Sequence, residues 1–229
     1  LALKQIDISH DRICDCKPSH INCLEAKEWL KNQLGVWQFT YEKRDVRKRE
    51  LHPATYPIAL SSKCVSLFTH QGELVVDPFV GSGTTLVSCR DTNRNAVGFD
   101  LSEAYVDLAN SRVNDPHMFN DCQQFAIQED AMNIPQYIEQ NSVALIMTSP
   151  PYGNLLNRKR LNKSRRGDER KNDQYLKVEQ YSQDERDLGT MELEQYTKTM
   201  GDIYENLLPL LKPKGHCVIN VPDMWWENR

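Results

Sequence analysis

Short apolar runs alternating with helix-spaced stretches set the rhythm of this chain. Residues 74–76 (LVV), 96–100 (AVGFD), 125–127 (FAI) and 142–147 (SVALIM) are bounded by polar or turn residues. Such runs suit buried strands of a parallel sheet. A fifth strand is expected over 217–221, after the turn Lys212-Pro213-Lys214-Gly215. Between the strands, apolar positions at helical spacing predict helices over 23–34, 58–69, 84–90, 102–113 and 192–211. Gly35 stands where a C-cap glycine belongs, and Ser102 where an N-cap belongs. Residues 1–22 have no clear period and read as an arm. Trp37, Phe39 and Tyr41 alternate as in a short strand or an aromatic-bearing loop. Strand, helix, strand, helix with short links is the signature of an α/β fold with a doubly wound parallel sheet and helices on both faces.

Composition narrows the class. With 229 residues, 39% hydrophobic and 26% charged, the chain is long enough for one substantial core. No run approaches the length of a membrane span, and no signal-peptide pattern opens it. It begins at Leu1 rather than Met, as a chain lacking its native start would. Cysteines at 14, 16, 23, 64, 89, 122 and 217 form an odd set without framework spacing, which argues for reduced thiols in a cytoplasmic protein. Cys14, Cys16 and Cys23, with His10 and His20 nearby, suggest a zinc site, but CxC followed by a six-residue gap matches no standard pairing. Simple thiols are the reading, with no metal assigned. The net charge of −4 gives no global pull toward nucleic acid. Local pulls exist at Lys43, Arg44, Arg47, Lys48 and Arg49, a solvated face or a phosphate patch, and in the hydrophilic stretch 155–188. The latter is long for a compact domain and reads as a mobile basic loop.

The chemistry concentrates at two strand ends. After 74–76 come Asp77, Pro78 and Phe79, a turn with Gly81, Ser82 and Gly83, then Thr84 and Thr85 opening a helix. Glycines in such a turn let backbone amides approach a ligand. Alone this is weak: the turn lacks GK[ST] and departs from GxGxxG. Asp100, nineteen residues after Gly81 and followed by Leu101, adds weight, because a carboxylate there accepts both hydroxyls of a ribose. Asp130, after the third strand, can accept from an adenine amine, so an adenosine-containing cofactor is favoured; the alternative is ordinary strand-end acids. The fourth strand ends in Ser149-Pro150-Pro151-Tyr152. Two prolines remove N–H donors and stiffen the backbone, leaving carbonyls as acceptors. A hydroxyl, such a carbonyl and an aromatic face suit a planar base bearing an exocyclic amine. The two strand ends are expected to share one crevice.

DPFVGSGTT at 77–85 together with TSPPY at 148–152 resembles the amino-group DNA methyltransferases, which make N4-methylcytosine or N6-methyladenine. HPATYP at 52–57 is similar to the segment that, in that family, precedes the glycine motif and helps hold the methionine end of S-adenosylmethionine; this assigns Thr55 and Tyr56. The likeness spans roughly residues 50–221. It implies a Rossmann-like S-adenosylmethionine-dependent methyltransferase sheet and double-stranded DNA as partner, in a setting of restriction–modification, phage or host that the residues leave open. The chain is then expected to divide into an N-terminal arm and helix over 1–50 and a methyltransferase catalytic domain over 51–229. By family practice Ser149 tilts the target toward cytosine N4. Ser149, Pro150, Pro151 and Tyr152 become the catalytic set. Arg158, Lys159, Arg160, Lys163, Arg165 and Arg166, beside the base pocket, become phosphate contacts that can close over a flipped nucleotide; a disordered charged loop is the plainer reading.

Two departures stand out. In the subgroup whose glycine motif is most like this one, SPPY usually comes first in the chain. The family's sheet normally has seven strands, whereas five are countable here. A truncated chain is one expectation; completion by another polypeptide or a homodimer is the other, and Trp225 and Trp226 near the end support it. The rivals are an N6-adenine enzyme, an RNA guanine-N2 methyltransferase (which generally has Asp in place of Ser149), a non-catalytic subunit of a split enzyme and a nicotinamide-dependent oxidoreductase. The last shares the glycine turn and Asp100 but has no use for SPPY.

Overall fold

The computed structural model describes residues 4–33, 35–45, 55–114, 121–152 and 184–221. Five strands form one sheet: β1 (Leu74–Asp77), β2 (Asn95–Asp100), β3 (Gln124–Gln128), β4 (Val143–Thr148) and β5 (Leu211–Ile219). They lie in the order β3-β2-β1-β4-β5, each pair parallel. The order reverses between β1 and β4, so the crevice outside their carboxyl ends is the topological switch point of a doubly wound sheet.

Alternation along the strands sends side chains to two cores. Val75, Ala96, Leu145 and Met147 pack under helices α2 (Ile58–Phe68), α3 (Thr84–Asp91) and α4 (Glu103–Val113). Leu74, Val76, Val97, Phe99 and Ile146 face the other way. There they meet a 3-10 turn at Ala131–Gln136 and helix α5 (Leu193–Leu207), whose Met200, Ile203 and Leu207 are buried. All six residues of β4 are buried, as expected of a strand covered on both faces. The Rossmann-like α/β expectation therefore holds.

Several boundaries differ from the sequence reading. The first helix, α1, covers only Ala26–Asn32, buries none of its residues, and ends at Gln33 in a right-handed conformation rather than at Gly35. With no residue of α1 buried, packing does not extend it, and periodicity alone overstated it. Trp37 and Phe39 lie in a loop, edge to face with ring centroids 6.3 Å apart, and Lys63 stands over the Trp37 ring. α5 stops at Leu207 and tightens into a 3-10 turn at Leu208–Leu210, where Pro209 cannot donate to a continuing helix. Residues 212–215 belong to β5 rather than to a turn before it. Lys214 at φ 66° and a register shift between Val143 and Leu145 take up the kink. Ser102 sits at the N-cap of α4, but its side chain makes no capping hydrogen bond. The arm docks on the sheet's amino end, where Ile6 N donates to Tyr137 O and Ile13 N to Gln71 O.

Candidate active site

The turn after β1 is held from behind. Asp77, 2% exposed, accepts from the Phe79 amide and, at 2.6 Å, from the Thr85 hydroxyl. The Thr85 proton is thereby committed, so the Tyr56 hydroxyl 2.6 Å away must be the donor to Thr85. Burial pushes the Asp77 carboxyl up to about 6, with Thr148, Thr85 and the Phe79 amide pulling the other way. Gly83 adopts φ 79° and packs where an added Cβ would lie 2.8 Å from Ala109 Cα. That glycine permits α3 and α4 to touch, and its amide donates to Val80 O. Arg112 reaches from α4 to the Ser82 carbonyl, fixing the turn from its other side.

Asp100 closes β2 and faces the crevice. Its oxygens accept from the amides of Gly81 (3.0 Å) and Ser102 (2.9 Å), and its pKa is pushed up to about 6 by burial, with Asp77 and Asp187 adding repulsion. A cavity of about 330 Å³ opens in front of it, lined by Phe79, Gly81, Leu101, Met132 and Tyr105 and by the acids Glu129, Asp130 and Asp187. Asp130 caps the following 3-10 turn through Met132 N and pairs with Arg186 at 3.0 Å. Glu129 accepts from the Asp130 amide, Asn133 and Tyr137. Burial works to raise its pKa, but these bonds outweigh it and hold the pKa below the ordinary carboxylate range.

β4 delivers Ser149 to the same cavity, which Pro150, Pro151 and Tyr152 also line. Ser149 Oγ lies 3.0 Å from the Tyr152 hydroxyl. Tyr196 of α5 donates to Pro151 O at 2.7 Å, and Asn220, just past β5, stands 3.5 Å from Ser149 Oγ. Three elements thus fix the proline segment.

Of the sequence-derived residues, Pro78, Phe79, Gly81, Asp100, Leu101, Asp130 and Ser149 through Tyr152 are brought together around one cavity. Thr55, Tyr56, Asp77, Ser82, Gly83, Thr84 and Thr85 are not among the residues lining it; Tyr56, Asp77 and Thr85 form the buried relay that supports the turn. The basic residues Arg158, Lys159, Arg160, Lys163, Arg165 and Arg166, and also Arg47, Lys48 and Arg49, lie outside the described residues, as do Trp225 and Trp226. Arg44 pairs with Asp91 at 2.6 Å. Sequence reasoning missed Tyr105, Glu129, Arg186, Asp187 and Met191. Glu129 was open to discovery as the acid beside Asp130 at a strand end. Arg186 and Asp187 arrive from the segment before α5, and no local pattern announces them.

The fold and cavity define a doubly wound α/β protein with its ligand crevice at the β1/β4 switch point. Comparison with known proteins sharpens this. A family described as DNA methylase, of the N6 and N4 type, matches residues 3–111. Type II methyltransferase M.HpaI of Haemophilus parainfluenzae is 34% identical over 83 residues, covering 36% of this chain and 26% of that protein. M.SmaI of Serratia marcescens is 39% identical over 83 residues, covering 36% and 27% respectively. A solved structure described as an M1.HpyAVI–SAM complex is 38% identical over 28% of this chain and 31% of that one, with a TM-score of 0.27, a likeness too local to bear on the fold. The resemblance to amino-group DNA methyltransferases is thus borne out over residues 3–111. The chain spans about a quarter of the length of these curated relatives. Among the described residues no helix is long and apolar enough to cross a membrane.

Proposed function

We propose that this chain carries the cofactor and target-amine site of an S-adenosylmethionine-dependent DNA methyltransferase acting on an exocyclic amine, cytosine N4 ahead of adenine N6. One observation carries the reading: the Ser149–Tyr152 hydroxyl pair opens into the same cavity as Asp100. The residues fit the cofactor. Asp100 uses one lone pair of each oxygen on a backbone amide, and a carboxylate has about four acceptor positions, leaving two for ribose hydroxyls. Phe79, Leu101 and Met132 give apolar walls for a purine, and the four acids Asp100, Glu129, Asp130 and Asp187 outnumber the one lining cation, Arg186 on Asp130, so the cavity is net anionic, as suits a cationic ligand. When bound, the cofactor supplies a sulfonium methyl group as electrophile.

This chain's residues then chiefly position. Ser149 Oγ and the Pro150 carbonyl accept the two N–H bonds of the target amine, turning its lone pair out of conjugation. The Tyr152 hydroxyl sits on Ser149 where an amine N–H would, and moving it aside frees that acceptor and its ring to stack on the base. Ser149 Oγ and the Pro150 carbonyl would hold the amine with its lone pair toward that methyl group, and the one amine proton lost on transfer would leave to solvent water. Tyr196 and Asn220 keep the proline segment in place. Arg158, Lys159, Arg160, Lys163, Arg165 and Arg166 are assigned to duplex phosphates on sequence grounds. Ser149 itself, with the family habit for SPPY, favours cytosine.

Nucleoside mass spectrometry tests this on the full chain incubated with labelled S-adenosylmethionine and unmethylated DNA, total RNA in parallel. Labelled N4-methylcytosine is expected. N6-methyladenine overturns the choice of base, and label in RNA guanine overturns the choice of nucleic acid. Cofactor binding without transfer assigns the chain to a split enzyme.

A further inference from the structure

At the opposite, amino end of the sheet we propose a structural zinc site formed by Cys14, Cys16, Cys23 and His70. Their ligand atoms all lie within 4.8 Å of one another. His70 Nδ1 is 3.4 Å from Cys14 Sγ and 3.5 Å from Cys23 Sγ. A tetrahedral zinc with Zn–S near ~2.3 Å and Zn–N near ~2.0 Å sets S···N separations of roughly 3.5 Å. The spacing is that of ligands around a common centre.

Hydrogen-bonded thiols explain the cluster less well. His70 Nε2 lies 2.9 Å from the His20 backbone carbonyl, which can only accept, so Nε2 carries the proton and Nδ1 is left with a single lone pair. Two sulfurs converge on that lone pair, and two S–H donors cannot both use it. An imidazole oriented by a backbone carbonyl through its other nitrogen is the usual outer-shell arrangement of a metal-bound histidine. The Gln71 amide also donates to Cys23 Sγ at 3.4 Å, as amides do to metal-bound sulfur.

The backbone brings the ligands in independently of any metal. Ile13 N donates to Gln71 O, which lays Cys14 beside His70. Buried Asn22 donates to Leu67 O and accepts from Leu24 N, which fixes Cys23. Gly72, at φ 86°, leaves room for the Asp11–Ile13 backbone, which a Cβ would strike. Arg94, 4% exposed, donates to both Thr69 O and Thr69 Oγ1 beside His70 and offsets the net negative charge of a zinc held by three thiolates. Of the two histidines that the sequence offered, His10 is not in the cluster, and His20 contributes its carbonyl rather than its ring. Four protein ligands leave no open position, so the metal is structural. It clamps the arm to the loop between α2 and β1, and this inference is independent of the methyltransferase reading.

The test is metal content of the full chain, purified under reducing conditions from zinc-supplemented cells, by inductively coupled plasma mass spectrometry. About one zinc per chain is expected, falling at least fivefold in Cys16→Ser and His70→Ala and unchanged in Cys217→Ser. Cobalt added to the wild-type apo chain, shown folded by circular dichroism, should give thiolate-to-cobalt charge-transfer bands and tetrahedral d–d bands. This reading does not depend on whether a variant folds. Absence of zinc together with absence of those bands overturns the site. So does zinc retained by Cys16→Ser and His70→Ala, or a disulfide among the three cysteines in freshly purified wild-type protein.

Discussion

A buried acid before β1 and a half-buried one at the end of β2 meet opposite fates. Glu73, just before β1 and 2% exposed, accepts from the His70 amide and pairs with both Lys212 and Arg12. Burial raises its pKa, but those partners outweigh burial and hold it below the ordinary carboxylate range. Asp100, at the carboxyl end of β2, has two backbone amides and acidic neighbours, and burial wins, lifting it to about 6. A satisfied acid ties the arm and β5 to the sheet. An acid that lacks a cation among its described partners is poised for a ligand to complete it. The amino end of this sheet is scaffold and the carboxyl end is site.

Variants at the two ends should therefore separate chemistry from stability. The largest effect is expected from Ser149→Ala: methyl transfer falls about 10²- to 10³-fold, the usual cost of removing one positioned hydrogen-bonding group. Cofactor affinity and melting temperature stay unchanged. Equal turnover in a single-turnover assay would remove Ser149 from the mechanism.

Glu73→Ala comes next, with the opposite profile. It strands the His70 amide and two cations, costing about 3 kcal/mol in denaturant unfolding, while the cofactor dissociation constant of the folded protein does not move. A change in that constant would mean that the two ends are coupled.

Asp100→Asn should weaken cofactor binding roughly 10- to 100-fold, the value of a hydrogen bond to a charged group. The pH profile carries a sign. Ribose hydroxyls need the ionised carboxylate, so wild-type affinity is full above pH 6 and falls about tenfold per unit below it as Asp100 takes up its proton. Asp77 also titrates at about 6, but its oxygens are committed within the protein. Calorimetric titration of Asp100→Asn at pH 5 and 7.5 should therefore show a flat profile, and a retained slope would reassign the ribose contact. Tyr56→Phe is the mildest. It removes the outer donor of the relay to Thr85 and Asp77, costing about 1 kcal/mol of stability with little effect on affinity.

What the residues alone make legible is local. DPFVGSGTT and SPPY could be read because a strand-to-helix turn and a proline-stiffened strand end impose their geometry within a few residues. The apolar runs announced each strand because a sheet covered on both faces demands continuous burial. Tertiary structure alone decided that Gly83 serves helix packing against Ala109, that Tyr56 stands behind the turn, and that Arg186 and Asp187 reach the cavity. It also decided that His70, 47 residues beyond Cys23, joins three cysteines of the arm. Contacts between distant segments leave no period in a sequence. They exist only after the parallel sheet has set which strand ends, and which loops, are neighbours.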